Sequence, residues 1–167
     1  MPQRLTVLVA LLSLALVTGC GGSDKKSDAK STSSVSAGKS SANAPVSKAE
    51  YETRLVAGLR PAQAAGSLAG RITKTSSRES DAQVFEQVGG IYQKAYADIQ
   101  AIVPPKDIGD LHTQVVAALQ GLGQASNRAR DSLRKKDKAS YTAALATFKA
   151  QGLKLQSLGK QLTARGY

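Results

Sequence analysis

The protein has 167 residues, with 23 lysines and arginines against 12 acidic residues, so its formal net charge is +11. Aromatic residues make up only 4% and tryptophan is absent, which argues against an aromatic sugar-binding cleft or a base-stacking nucleic-acid surface. A single cysteine and a single histidine exclude a zinc cluster and an internal disulfide framework. The length suits one domain.

The N-terminal segment has the pattern of an export signal. Residues 5–17 follow the positive charge of Arg4 and are apolar apart from Thr6 and Ser13. A helix of that length would span roughly 20 Å, too short for a hydrocarbon core of about 30 Å. A charged start, a short apolar stretch and then small residues are typical of a signal peptide. We therefore predict a lipoprotein signal peptide over residues 1–19.

The residues Val17, Thr18, Gly19 and Cys20 resemble a bacterial lipobox, with an aliphatic residue, two small residues and then cysteine. Cysteine is required there because its thiolate accepts the diacylglyceryl group. An ordinary secretory signal that ends in cysteine by chance is the alternative. A diacylated cysteine meets the two-signal requirement for stable anchoring. We expect the mature chain to begin at Cys20 and to be lipid-anchored to the outer face of the cytoplasmic membrane.

Residues 20–47 are predicted to be the lipidated cysteine and a disordered tether. This segment is mostly serine, alanine, lysine and glycine, and Val35 and Val46 are its only large apolar residues. Such a composition cannot bury enough area to offset the entropy of ordering. The r.m.s. span of the tether would be roughly 30 Å.

Residues 48–167 are predicted to form an all-α domain, an antiparallel four-helix bundle. Ser47 and Glu50 form a capping box at the start of the first helix. Pro61 predicts that this helix is either kinked or broken and restarted. Apolar residues recur at helical spacing and define the expected core: Tyr51, Leu55, Leu59, Ala62, Leu68, Ile72, Val84, Val88, Ile91, Ala95, Ile99, Ile102, Leu111, Val115, Leu119, Leu122, Ala125, Ala129, Leu133, Tyr141, Leu145, Phe148, Leu155, Leu158 and Leu162.

The remaining helix boundaries follow from capping residues and breakers. The second helix is expected to begin near Ser80 and to be stopped by the Pro104–Pro105 pair. Asp107 is the expected cap of the third helix and Asp137 that of the fourth. The glycine pairs at residues 89–90 and at residues 121 and 123 are the expected breaks or bends, and the alternative is that close helix packing compensates for the glycines.

No pattern of catalytic residues emerges. His112 has only Asp107 and Asp110 close to it in sequence, and we predict a structural role for this histidine near the start of the third helix. A ferritin-like metal site needs Glu-x-x-His motifs, which this sequence lacks. We therefore expect a protein that is not an enzyme, with no cofactor and no metal.

Basic residues are concentrated in the last quarter of the sequence. Residues 48–127 hold eight basic and eight acidic residues, whereas residues 128–167 hold ten basic and two acidic residues, a net charge of +8. An exported domain with this charge would meet anionic lipid or an anionic cell-wall polymer, whereas nucleic acid is not expected outside the cell. A merely solvated basic surface is the alternative. The candidate contacts with an anionic partner are Arg128, Arg130, Arg134, Lys135, Lys136, Lys138, Lys149 and Lys160.

The lipobox, the serine-rich tether, the helix start at residues 47–51 and the Pro104–Pro105 pair followed by Leu111 and His112 resemble small exported lipoproteins of the actinobacterial type, from high-GC Gram-positive bacteria. The resemblance implies a small helical domain and a place on the membrane, and little about function. Many such proteins carry cysteine in the helical part, and this chain has none after Cys20. A redox role is therefore not implied.

Together these patterns predict a non-enzymatic binding or scaffold module at the cell envelope, with an envelope protein as a further candidate partner. The alternative is a carrier that holds a lipid or small apolar ligand between its helices. A carrier predicts an apolar cavity of several hundred Å³ within the bundle.

Overall fold

Four α-helices make up most of residues 44–73 and 75–167, which are the residues described by the computed structural model. They are α1 (Lys48–Ala69), α2 (Arg78–Gln100), α3 (Gly109–Arg134) and α4 (Lys138–Ala164), and a 3₁₀ helix (Lys106–Ile108) precedes α3. No strand occurs in this part of the chain. The all-α prediction with four helices is confirmed. The predicted signal peptide, the lipobox and the tether up to residue 43 lie outside the described residues.

Two of the predicted caps are present. Ser47 Oγ accepts a hydrogen bond from the Glu50 backbone N–H at 3.3 Å, as the first half of a capping box requires. The Glu50 carboxylate, however, pairs with Arg54 one turn further on. Asp137 caps α4, accepting a hydrogen bond from the Ser140 backbone N–H at 3.0 Å.

The predicted breaks inside helices do not occur. α1 runs through Pro61 as one helix, so of the two alternatives predicted at this proline the break and restart is wrong. Leu55 and Ala65 are buried on either side of it, and this packing holds both halves of α1 in place. The glycine pairs at residues 89–90 and at 121 and 123 likewise lie inside continuous helices.

The connection between α2 and α3 differs from the prediction. α2 begins at Arg78, two residues before Ser80, because Ser77 supplies the capping oxygen, and α2 ends at Gln100, before the two prolines. Asp107 was expected to cap the third helix, and this is wrong. The 3₁₀ helix takes up that position, Ile108 precedes α3 without a side-chain cap, and the Asp107 carboxylate accepts hydrogen bonds from the Tyr167 hydroxyl instead.

The core is centred on α3, which packs against both α2 and α4, whereas α1 packs chiefly against α2. Every residue predicted for the core is buried or half-buried. The largest cluster joins Tyr51 of α1 to Ile99, Leu119 and Leu158 of the other three helices. Val46, the last large apolar residue of the predicted tether, packs on this cluster, and its N–H donates to the Val103 carbonyl at 3.0 Å.

Candidate interaction surface

Two of the predicted basic contacts, Lys135 and Lys136, lie in the turn between α3 and α4, whose shape follows from two local features. Lys136 adopts a positive φ of 59°. Its N–H donates to the Leu133 carbonyl and that of Asp137 donates to the Ser132 carbonyl, which is the Schellman pattern of a helix end. Asp137 then starts α4, and hydrogen bonds from the Ser140 side chain and backbone lower the pKa of its carboxyl group. The turn therefore presents Lys135 and Lys136 as exposed side chains.

Two of the predicted contacts are neutralised within the domain. Arg134 donates to a Glu86 carboxylate oxygen at 3.0 Å and lies 3.9 Å from a Glu79 oxygen. Arg130 donates to Asp131 at 2.8 Å and lies 3.9 Å from Glu86. The hydrogen bond to Asp131 raises the pKa of Arg130 further above its usual value. The carboxylates of α2 and of Asp131 on α3 therefore already neutralise these two arginines, which makes them poor candidates for contacts with an outside partner.

The other six predicted contacts form no ion pair with the described residues: Arg128, Lys135, Lys136, Lys138, Lys149 and Lys160. All six are exposed. Arg128, Lys135 and Lys136 lie in or near the α3–α4 turn, whereas the other three lie along α4. The first and last of these three, Lys138 and Lys160, are separated by about 33 Å of helix. The structure therefore places the predicted residues in two separate groups rather than in one compact patch.

A groove of about 380 Å³ lies between α3 and α4 near this turn. Charged and hydroxyl-bearing residues line much of it, among them Arg128, Lys135, Asp131 and Asp137. Because basic and acidic side chains alternate along its walls, the groove does not have the single sign of charge that a phosphate site needs. It is also open and its lining mixes polar and apolar surface, unlike the enclosed apolar cavity that a carrier predicts.

The histidine lies in an aromatic cluster at the opposite end of α3. His112 is 6% exposed, and its Nδ1 atom is 3.2 Å from the Tyr51 hydroxyl. Burial lowers the pKa of His112 and raises that of Tyr51 to about 12. The Tyr167 ring packs edge-on against Tyr51, and its hydroxyl donates to Asp107.

This cluster joins the start of α1 to the residues after α4, and its hydrogen bonds give His112 no carboxylate partner among the described residues. A histidine base oriented by an acid would need such a partner. The long-range contacts of Tyr51 and Tyr167 had no sequence signal, because their partners lie about sixty residues away. The observed contacts agree with the predicted structural role of His112.

Within residues 44–73 and 75–167, no group of three or more His, Cys, Asp or Glu side chains is placed to hold a metal ion. None of the helices in the same ranges is both long and apolar enough to cross a membrane. Comparisons of the chain with protein-family models, with curated proteins and with solved structures found no match.

Proposed function

We propose that this chain is a membrane-anchored extracytoplasmic lipoprotein whose helical domain acts as a non-enzymatic binding or scaffold module at the cell envelope. One observation supports the binding role above the others. α4 carries four lysines and no acidic residue over 27 residues, and none of these lysines is neutralised by a described carboxylate. Lysines that have no carboxylate partner within the described domain are available to an anionic partner, and a surface with a single sign of charge attracts such a partner.

The anchor depends on Cys20, the single acyl acceptor of the sequence. Mass spectrometry of the purified N-terminus should show diacylglyceryl addition at Cys20. Cys20→Ala should release the chain from the membrane or leave the signal peptide uncut. A free thiol at the N-terminus of the wild-type protein would contradict the anchor.

The binding role can be tested on the basic turn at the start of α4. In a pull-down from detergent-solubilised membranes, a variant with Lys135, Lys136 and Lys138 replaced by glutamine should recover less of the bound partner than the wild type does, whether that partner is an anionic lipid, a cell-wall polymer or an envelope protein. The wild-type association should also weaken as salt rises, because the Debye length falls from about 10 Å at 0.1 M to about 3 Å at 1 M. Equal, salt-independent recovery by both proteins would contradict a charge-based binding role.

We also propose that neighbouring helices of the bundle run antiparallel. Tyr51 near the start of α1 shares a cluster with Ile99 near the end of α2, and Ala65 near the end of α1 shares another with Val84 near the start of α2. Gly89 of α2 approaches Ser126 of α3, and the later Gln93 lies beside the earlier Gly123, so the order is reversed here too. Gly121 in the middle of α3 faces Gln151 in the middle of α4, and Asp107 just before α3 binds Tyr167 just after α4. The start of α3 therefore lies beside the end of α4.

The kink of α1 at Pro61 stays a prediction, and the distance between spin labels on either side of Pro61 can test it. Distances between labels on different helices can test the antiparallel arrangement. A label near the start of α3 should lie close to one at the end of α4 and far from one at its start. The reverse order of distances would contradict the antiparallel arrangement.

A further inference from the structure

One exposed side of α4 combines three lysines with an apolar residue. Lys138, Lys149 and Lys160 are spaced by eleven residues, which is close to three helical turns, so they form a row along one side. Leu153 follows Lys149 by four residues and precedes Lys160 by seven, and both spacings place it beside this row. We call these four residues the α4 lysine row.

Leu153 is exposed without a structural reason inside the domain. It is 47% exposed, and Val56 on α1 is the one other large apolar residue that is exposed in the described part of the chain. α4 turns Ala144, Leu158 and Leu162 towards the core, so the side that carries Leu153 takes no part in packing. Lysines that flank an exposed leucine can meet headgroup phosphates while the leucine reaches the upper acyl chains, because their long apolar stems let the charged ends stay at the interface.

We infer that the α4 lysine row docks on an anionic lipid leaflet, with the lysines at the headgroup phosphates and Leu153 among the upper acyl chains. This inference rests on the proposed anchor, which would hold the domain close to such a leaflet. The row extends about 33 Å in a straight line, so a flat surface can touch all three lysines at once. A soluble anionic polymer would use the lysines equally well and would leave Leu153 in water.

The chain geometry allows this orientation. The predicted tether joins the domain at Val46, which packs on the same cluster as Tyr167 and Leu162 at the end of α4. The point where the predicted tether enters the domain and the C-terminal end of the lysine row therefore lie at the same end of the domain. A domain that lies on α4 would keep the start of its tether near the lipid surface.

The absence of tryptophan from the sequence makes a direct test available. Leu153→Trp introduces one tryptophan into the row, and Val56→Trp introduces one at the exposed control site on α1. Each full-length acylated protein is reconstituted into vesicles of phosphatidylglycerol and phosphatidylcholine that contain brominated acyl chains. We expect the fluorescence of the Leu153→Trp protein to be blue-shifted and quenched in these vesicles and to show neither effect in purely zwitterionic vesicles. The Val56→Trp protein should show neither effect in either kind of vesicle.

Two charge variants of the Leu153→Trp protein separate the row from the overall charge. The first replaces Lys138, Lys149 and Lys160 with glutamine. The second removes the same number of charges elsewhere, through Arg60→Gln, Lys94→Gln and Lys106→Gln. Each lysine at an anionic surface changes the docked-to-free ratio up to about fivefold, so the row variant should lose up to about a hundredfold and the control variant should dock nearly as well as the parent.

Flotation of the vesicles reports the anchor separately from docking. A Leu153→Trp protein that floats while its tryptophan stays unquenched overturns the docking inference and leaves the anchor standing. A protein that does not float with the vesicles overturns the anchor. In that case quenching of the introduced tryptophan by added vesicles would still support docking, and unchanged fluorescence would overturn it. Retention on inorganic polyphosphate that depends on the row, with the introduced tryptophan unquenched by lipid, would also overturn the inference in favour of an anionic polymer.

Discussion

The Tyr51 hydroxyl lies 3.2 Å from Nδ1 of His112, and this contact ties the start of α1 to the start of α3. Both groups are inside the domain, where Nδ1 of a neutral imidazole can accept a hydrogen bond from the hydroxyl. A protonated imidazole carries protons on both nitrogens, so the hydroxyl would have to turn and act as acceptor. Burial withdraws the charged imidazolium from water, and this lowers the pKa of His112.

We expect the free energy of unfolding to fall as the pH is lowered through about 6.5. Below that value the unfolded chain protonates His112 more readily than the folded chain, so acid favours unfolding until the lower, folded-state pKa is passed. Chemical denaturation between pH 7.5 and 5 would measure this. His112→Gln should remove the dependence in that window because the chain has no other histidine. An equally steep dependence in the variant would contradict the assignment.

Leu119→Ala should destabilise the domain by about 2–5 kcal/mol. Leu119 is 0% exposed and lies in the cluster that joins all four helices, so its removal leaves a cavity. Leu153→Ala is the matched control at an exposed site and should cost less than about 0.5 kcal/mol. Denaturant midpoints of the two variants test this. Similar losses would mean that α3 does not form the centre of the core.

Lys136→Gly should stabilise the domain by up to about 1 kcal/mol. The left-handed conformation at φ 59° costs a residue with a side chain about 1–2 kcal/mol, and part of the gain is lost to the greater freedom of glycine when unfolded. Gly166, at the equivalent position after α4, has a φ of 82°. Gly166→Ala should therefore destabilise, and thermal melts that show the same sign for both changes would disprove the explanation.

Gly66→Ala and Gly159→Ala should each stabilise the domain by up to about 1 kcal/mol, since alanine favours a helix over glycine. A Cβ at either position meets no atom within 4 Å. At Gly58 the added carbon would lie 2.6 Å from Cδ1 of the buried Ile99, so Gly58→Ala should overpack the α1–α2 contact and lose stability. Urea denaturation of the three variants distinguishes the two classes. A gain at residue 58 equal to that at residue 66 would contradict the packing argument.

Local signals in the sequence predicted local structure well. Ser47 and Asp137 act within three residues of themselves, and both were recognisable as caps. Asp107 has the same chemistry, yet its partner is Tyr167 at the far end of the chain. A contact between residues 60 positions apart cannot be read from local sequence spacing, so the predicted cap was wrong.

The candidate surface was likewise predictable where it depends on spacing along one helix and unpredictable where it depends on packing between helices. The lysines of α4 form a row because helical spacing alone puts them there. The neutralisation of Arg134 by Glu86 depends on how α2 and α3 pack, and the sequence separates these residues by 48 positions. The high net charge of residues 128–167 therefore overstated how many of its basic groups are free for a partner.

The uneven distribution of buried residues among the helices sets the order in which the domain should open. α3 has eleven buried residues, whereas α1 has four and α4 has three. In native-state amide hydrogen exchange, the protons of α1 and α4 should therefore exchange through partial openings that leave the α2–α3 pair intact. An outer helix that loosens at low free-energy cost can adjust its tilt on a partner surface while the centre of the domain stays folded.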